Sequence, residues 1–530
     1  MKRCPECRRD YYDDSLSYCL DDGSVLLEGP ASYGGSETAV LPAFGVVGEA
    51  NTLLGHHLPA QSTSNVNSVA VLPFVNLSGD PANEYLSDGM AEELLNALSK
   101  IRGFRVAART SAFSFKNKNM TVGEIGHTLN VESILEGSVR LAGKRLRVAV
   151  QLANVQDGYH LWSQTYDRTL DDIFEVQDDI AETVVEELRE RLLGREFGTV
   201  ETGAIEVEVA NAFKGRADDP EAQRLLLLGR HFLDRTTRED TARAIGYFRE
   251  ALELDPEFAL CWAELARAFT VEAGRGWASV DEAREKIRTA VDRALELEPA
   301  LAEGYAMRER LEDTYEWDLA AAERSMQMAL KLAPANASIL DRAGILAYKT
   351  GKLDDSISLL RRAVAQDPLS AAIWHNLGLV THAAGHLEDA EKAYRRALEL
   401  APQRFLSSAF LSLVLIDQGK TVDARAQALI EPEEFWRIWA LAILDHLSGR
   451  PAESDANLKR LIEEYSEGSA FQIAEIYAER EEPDQAFDWL ERAVQERDPG
   501  ITHSKANPRF RNLHKDPRWG SVLETIGFQS

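Results

Sequence analysis

Cys4-Pro5-Glu6-Cys7 places two thiols two residues apart on one tight turn. Cys19-Leu20-Asp21-Asp22 repeats the spacing with a carboxylate where the second thiol would be. Zinc takes four ligands in a tetrahedron, and two such turns brought together supply four. Thiolate sulfur and carboxylate oxygen both serve, so Cys4, Cys7, Cys19 and Asp22 form a candidate structural zinc site. Residues 1–28 are too few to bury a core, so this head is expected to fold with metal and to be disordered without it. A metal-free degenerate head is the alternative reading.

Few other residues are spaced for chemistry. Asp88 and Glu92 lie four apart and share a helix face. Such a pair is more often a solvated face or a cap than an acid–base couple. His127 and His160 lack ligand spacing, and Trp162 reads as core. No phosphate-cradling G-x-x-x-x-G-K-[ST] or G-x-G-x-x-G motif follows a strand. The expectation is a chain that is not an enzyme.

The elements that position these residues are set by a repeat. Leu340, Ala343, Gly344, Ser356, Leu360, Ala363 and Pro368 recur 34 residues later as Trp374, Leu377, Gly378, Ala390, Tyr394, Ala397 and Pro402. Large residues fill a seam, alanine and glycine let two helices approach, and proline ends the second helix. This spacing resembles the tetratricopeptide repeat. Punctuating prolines at 256, 299, 334, 368 and 402 carry the pattern from residue 220. The long first interval puts an insert near Ala273 to Ser279. About eight helix pairs reach Pro499. Residues 501–530 are expected to cap the last apolar face.

Composition bounds the rest. A chain of 530 residues exceeds one core. Its net charge of −28 argues against phosphate-based nucleic-acid binding and against an anionic membrane surface. No apolar run is long enough to span a membrane. The first residues lack the apolar region of a secretion signal, so a reducing cytoplasm is the expected compartment. Gly29 to Asn67 is rich in small and polar residues and reads as a linker.

Ser68 to Phe74 reads as a buried strand, Glu84 to Ser99 as an amphipathic helix and Phe104 to Arg109 as a second strand. Three more strands are expected at Ser133–Leu141, Arg145–Asn154 and His160–Tyr166, then a helix from about Leu170 to Leu193. Ala70-Val71-Leu72-Pro73-Phe74, Tyr85-Leu86-Ser87-Asp88-Gly89, Leu135-Glu136-Gly137 and Leu161-Trp162-Ser163-Gln164 are similar to the TolB/FlgO-type N-terminal domain. Ser133 stands where that family often has an aromatic. The likeness implies an architecture found in bacterial regulatory proteins, in front of tetratricopeptide arrays. The head, in turn, resembles a zinc ribbon.

The expected fold is therefore multidomain. A zinc-ribbon-like head (1–28) and a flexible linker (29–66) precede a TolB/FlgO-like α/β domain (67–195). A second linker (196–219), an all-α tetratricopeptide solenoid (220–500) and a C-terminal cap (501–530) follow. The expected function is a protein–protein interaction scaffold or regulatory adaptor that takes a protein or peptide in its groove. A signalling module related to nucleotide-cyclase or transcription-regulator proteins, or a glycosyltransferase relative without its catalytic domain, is the alternative. Arg230, Arg308, Arg342 and Asn376 occupy one register position in their respective repeats, with His375 beside Asn376 and with Glu264 breaking the series in the second repeat. They are the candidate groove residues, suited to acidic groups on a partner. The alternative is that these arginines pair with acidic residues of neighbouring repeats.

Overall fold

The computed structural model describes residues 68–528, apart from 102, 170–171, 194–206, 208, 218, 236, 276 and 467, and three short strands before them. It divides into two units, 1–62 and 63–530. In the first unit β1 (Lys2–Arg3) pairs antiparallel with both β2 (Asp10–Tyr11) and β3 (Leu27–Glu28). The proposed ligands Cys4, Cys7, Cys19 and Asp22 lie outside the described residues, as does the linker to residue 66.

The second unit is a helical solenoid with a small mixed sheet at its N-terminal end. The sheet runs β6–β4–β7–β8–β9, where β4 is Ser68–Val71, β6 Arg105–Val106, β7 Ser133–Ala142, β8 Arg145–Asn154 and β9 His160–Thr169. Strand β5 (Val75–Asn76) adds to β7. β4 runs parallel to β6 and β7, with Val69 opposite Ser133. All four of its residues are buried, as expected of a strand covered on both faces. β7, β8 and β9 form an antiparallel meander, with Val148 opposite Val139 and Tyr166. Gly143, at φ 63°, makes the first tight turn. Helices α1 (Glu84–Lys100) and α4 (Ile173–Leu193) cover the sheet, and Leu94, Leu98, Val148, Ile180 and Val184 close its core. The short α3 (Val122–Leu129) adds Ile125 and Leu129 to a second cluster with Ala70 and Ile134.

The strand expected over Phe104–Arg109 is shorter than its apolar pattern suggested. Only Arg105–Val106 pairs, and Arg109 opens helix α2 (Arg109–Phe113). The linker expected over 196–219 differs more. Val209, Ala212 and Phe213 are buried in the α/β core, and Ala217 in that of the first repeats. Their one-turn spacing forms an apolar face that a composition-based reading overlooks.

From Pro220 eight helix pairs follow among the described residues. The inner helices are Pro220–Leu233, Ala259–Gly274, Ala302–Arg310, Ala337–Lys349, Ala371–Ala383, Ser407–Asp417, Glu434–Leu447 and Ala470–Glu479. Each packs on the outer helix after it. Gly344 and Gly378 sit at the helix crossings: a Cβ at Gly344 would come within 2.6 Å of Leu360, and one at Gly378 within 2.9 Å of Tyr394. This is why the repeat demands glycine there.

Two features go beyond a plain repeat array. The α/β domain is docked on it, with α1 crossing the first array helix so closely that a Cβ at Gly89 would lie 2.7 Å from Leu227. Arg105 and Ala108 also bond to the carbonyls of Ala365 and Gln366, in the fourth pair. The C-terminal segment does more than cap the last pair. Phe510, Trp519 and Phe528 join Phe471 and Ala486 of that pair in one core with Ala302, Leu319 and Met326 of the third pair. Residues 501–528 thus run back along the array.

Candidate functional site

The register position singled out in the sequence forms a polar ladder. Inner helices of successive repeats lie side by side, so groups about one repeat apart meet. Arg230 donates from Nε to Glu264 at 3.0 Å, and its NH1 bonds Glu93 of α1. Arg342 donates to Glu309 at 2.7 Å and to Asp313 at 2.9 Å. Asn376 donates to Asp341 at 2.9 Å. Arg308 departs from the ladder and meets Asp292 at 2.7 Å, on the outer helix before it.

The five expected groove residues therefore separate. Arg230 is only 4% exposed and sits under the α/β domain. Arg308 faces the neighbouring outer helix. Arg342, His375 and Asn376 converge on a single cavity of about 490 Å³ on the inner face of the array. The basic strip is thus neutralised along much of its length. The break in the series at Glu264 is a working part of it, because Glu264 receives both Arg230 and Arg267.

The carboxylates respond to these partners. Burial opposes the charged form of Asp313, but Lys349 and Arg342 outweigh it and hold the carboxyl down at about 2. Arg267 and Arg230 do the same for Glu264, also at about 2 despite its burial. Asp313 lies in a π-helical turn, Leu311–Glu316, which extends the third inner helix and ends at Trp317 with φ 59°. The wider turn carries Asp313 to Lys349 at 2.8 Å and Arg342 at 2.9 Å.

The cavity's other walls were not foreseen. Phe410, Trp436, Trp439 and Phe471 form an aromatic side, with ring centroids of Phe410 and Trp439 5.3 Å apart. Gly500, His503, Asn507 and Arg509 of the C-terminal segment form another. Asn507 donates to Glu475 at 2.6 Å, and Arg509 bridges Glu479 and Asp417. Burial pushes Glu475 up to about 8 and His503 down to about 3. His375, with Ser407 Oγ 3.0 Å from its Nδ1, is also pushed down to about 3 by burial and by Arg404. Both imidazoles are neutral at physiological pH.

Arg310 and Arg404 also line this cavity. Arg310 follows Arg308 by two residues and so lies on another side of its helix. Arg404 is in a loop, where repeat register says nothing. The carboxylates of the α/β domain are engaged: Asp88 takes Lys116 and Glu92 takes Arg109. Among the described residues there is no cluster of metal-ligating side chains and no helix long and apolar enough to cross a membrane.

A tetratricopeptide-repeat family model matches residues 342–405 and 382–431, within the stretch that forms the cavity. A curated relative, "Putative adenylate cyclase 3" of Rhizobium meliloti (strain 1021), is 38% identical over 199 residues, 38% of this chain and 32% of that protein. The match thus spans about a third of that relative's length. Among solved structures, PilF of Pseudomonas aeruginosa aligns with 39% of this chain and 91% of its own, at 19% identity and a TM-score of 0.33. A thermophilic tetratricopeptide protein of Thermus thermophilus aligns with 39% of this chain and 99% of its own, at 20% identity and a TM-score of 0.30.

Proposed function

We propose that this protein is a non-enzymatic interaction scaffold or regulatory adaptor. Its tetratricopeptide array receives a protein or peptide, and its α/β domain, of TolB/FlgO-like type, braces the array. The observation that carries this reading is the convergence of Arg342, His375 and Asn376 with an aromatic wall on one inner-face cavity. Donors, acceptors and rings set in a concave surface are what peptide recognition by helical repeats uses. The zinc-ribbon-like head belongs to the proposal as a structural module held by Cys4, Cys7, Cys19 and Asp22.

A signalling setting is the second reading. It is favoured by the stretch shared with the Rhizobium relative named a putative cyclase. On the scaffold reading, the purified chain forms no cyclic AMP from ATP with magnesium or manganese, and it retains partners from a bacterial lysate. Those partners must be lost when Trp436→Ala and Leu379→Ala open the cavity wall in a chain that still folds. Cyclase activity that follows the purified chain overturns the non-enzymatic reading.

A further inference from the structure

Two cations in the inner-face cavity, Arg310 and Arg404, make no direct ion pair among the described residues. Arg310 ends the third inner helix and Arg404 follows the fifth pair. Among the described residues neither guanidinium makes an ion pair, and each has a buried Nε without a hydrogen-bond partner. Buried polar groups are nearly always satisfied, so two such donors facing one space need an account. Burial draws both below the usual arginine range, Arg310 to about 10.

The surrounding charges do not supply the missing partner. Arg342 and Arg509 each hold two carboxylates of their own. His375 and His503 are neutral, and Glu475 is largely protonated at neutral pH. Asp341, the other carboxylate lining the cavity, accepts from Asn376 at 2.9 Å and reaches Arg404 only through space. The opposite wall is the aromatic cluster of Phe410, Trp436, Trp439 and Phe471.

We propose that the cavity is a binding site for a small organic carboxylate with an aromatic or branched apolar body. The carboxylate is taken by the Arg310 and Arg404 guanidinium groups, whose planar forks match it. The body lies on the rings. A volume of about 490 Å³ is that of a small-molecule site. The C-terminal segment walls one side through Gly500, His503 and Asn507, so the space holds a compact group. The ligand shares the inner-face cavity with the partner-binding reading, but it rests on Arg310 and Arg404, which that reading does not use.

The test uses the full chain and paired probes: indole-3-acetate, phenylpyruvate and 4-methylpentanoate against the uncharged amide of each, by thermal shift and calorimetry. At least one acid is expected to raise the melting temperature at millimolar concentration, with its amide binding about tenfold more weakly or worse. Arg310→Gln and Arg404→Gln each weaken the acid about tenfold. Without ligand these variants melt at or above the wild-type temperature, because an unpartnered charge has been removed. The proposal is overturned if no acid binds, if amides bind as well as acids, or if the variants bind acid like wild type. It is also overturned if the variants lose thermal stability without ligand, which would mark the arginines as structural. Partner capture that persists in both glutamine variants separates this result from the scaffold reading.

Discussion

Arg230, on the first helix of the array, forms a buried ion pair with Glu93 on helix α1 of the α/β domain. Both side chains are almost fully withdrawn from solvent. Glu264, one repeat on, completes the arrangement from the other side. The pair fixes a domain to its neighbour with a charge that water cannot reach.

Removing one member should therefore cost more than removing both. Arg230→Leu leaves Glu93 buried without its cation and Glu264 with Arg267 alone, and is expected to destabilise by about 3–5 kcal/mol. The double variant Arg230→Leu with Glu93→Leu should recover part of that loss. Denaturant melts of the single and double variants check the order. Equal melting of Arg230→Leu and wild type would show that the pair is exposed in solution.

The C-terminal segment should behave as part of the fold. Phe510 is fully buried between Phe471 and Trp519. Phe510→Ala is expected to cost about 3–5 kcal/mol. Hydrogen exchange should show protection of residues 501–513 equal to that of the last helix pair, and loss of both together in the variant.

Glu475 gives the stability a dependence on pH. Its carboxyl is ordinary in the unfolded chain, at 4.5, and pushed up to about 8 by burial in the fold. Between these values the folded chain holds more protons than the unfolded one. Stability therefore falls as pH rises through that window, and the loss is complete above it. Glu475→Gln should flatten this part of the melting-temperature profile. A profile as steep as wild type would show that Glu475 is solvated.

His375 and His503 act in the opposite sense. Each falls from 6.5 when unfolded to about 3 when folded, chiefly through burial. The folded chain then holds fewer protons, so their contribution is present above 6.5 and is lost as pH falls towards 3. His375→Gln should lessen the drop in melting temperature on acidification from neutral pH.

The head is tested by metal analysis. With Cys4, Cys7, Cys19 and Asp22 as ligands, purified reduced protein should carry about one zinc per chain. Cys4→Ser should lose it.

Much of this was legible in the chain. The 34-residue period put Gly344 and Gly378 at helix crossings because only glycine fits there. Alternation marked β8, whose Leu146, Val148 and Val150 are buried. What register could not show is what lies on top of the array. Arg230 has the same repeat position as Arg342, but the first repeat is covered by α1 and the fourth is not. Arg310 and Arg404 were missed for a related reason. One lies two residues past the position singled out, on another side of its helix, and the other is in a loop that has no register. Val209, Ala212 and Phe213 were hidden by a composition that suggested a linker.

The most direct test of the scaffold is calorimetric titration of a captured partner into the full chain and into the Trp436→Ala, Leu379→Ala variant. The account predicts saturable binding to the wild type and a loss of about tenfold or more in the variant, with the circular dichroism of both unchanged. Undiminished affinity in the folded variant would contradict it.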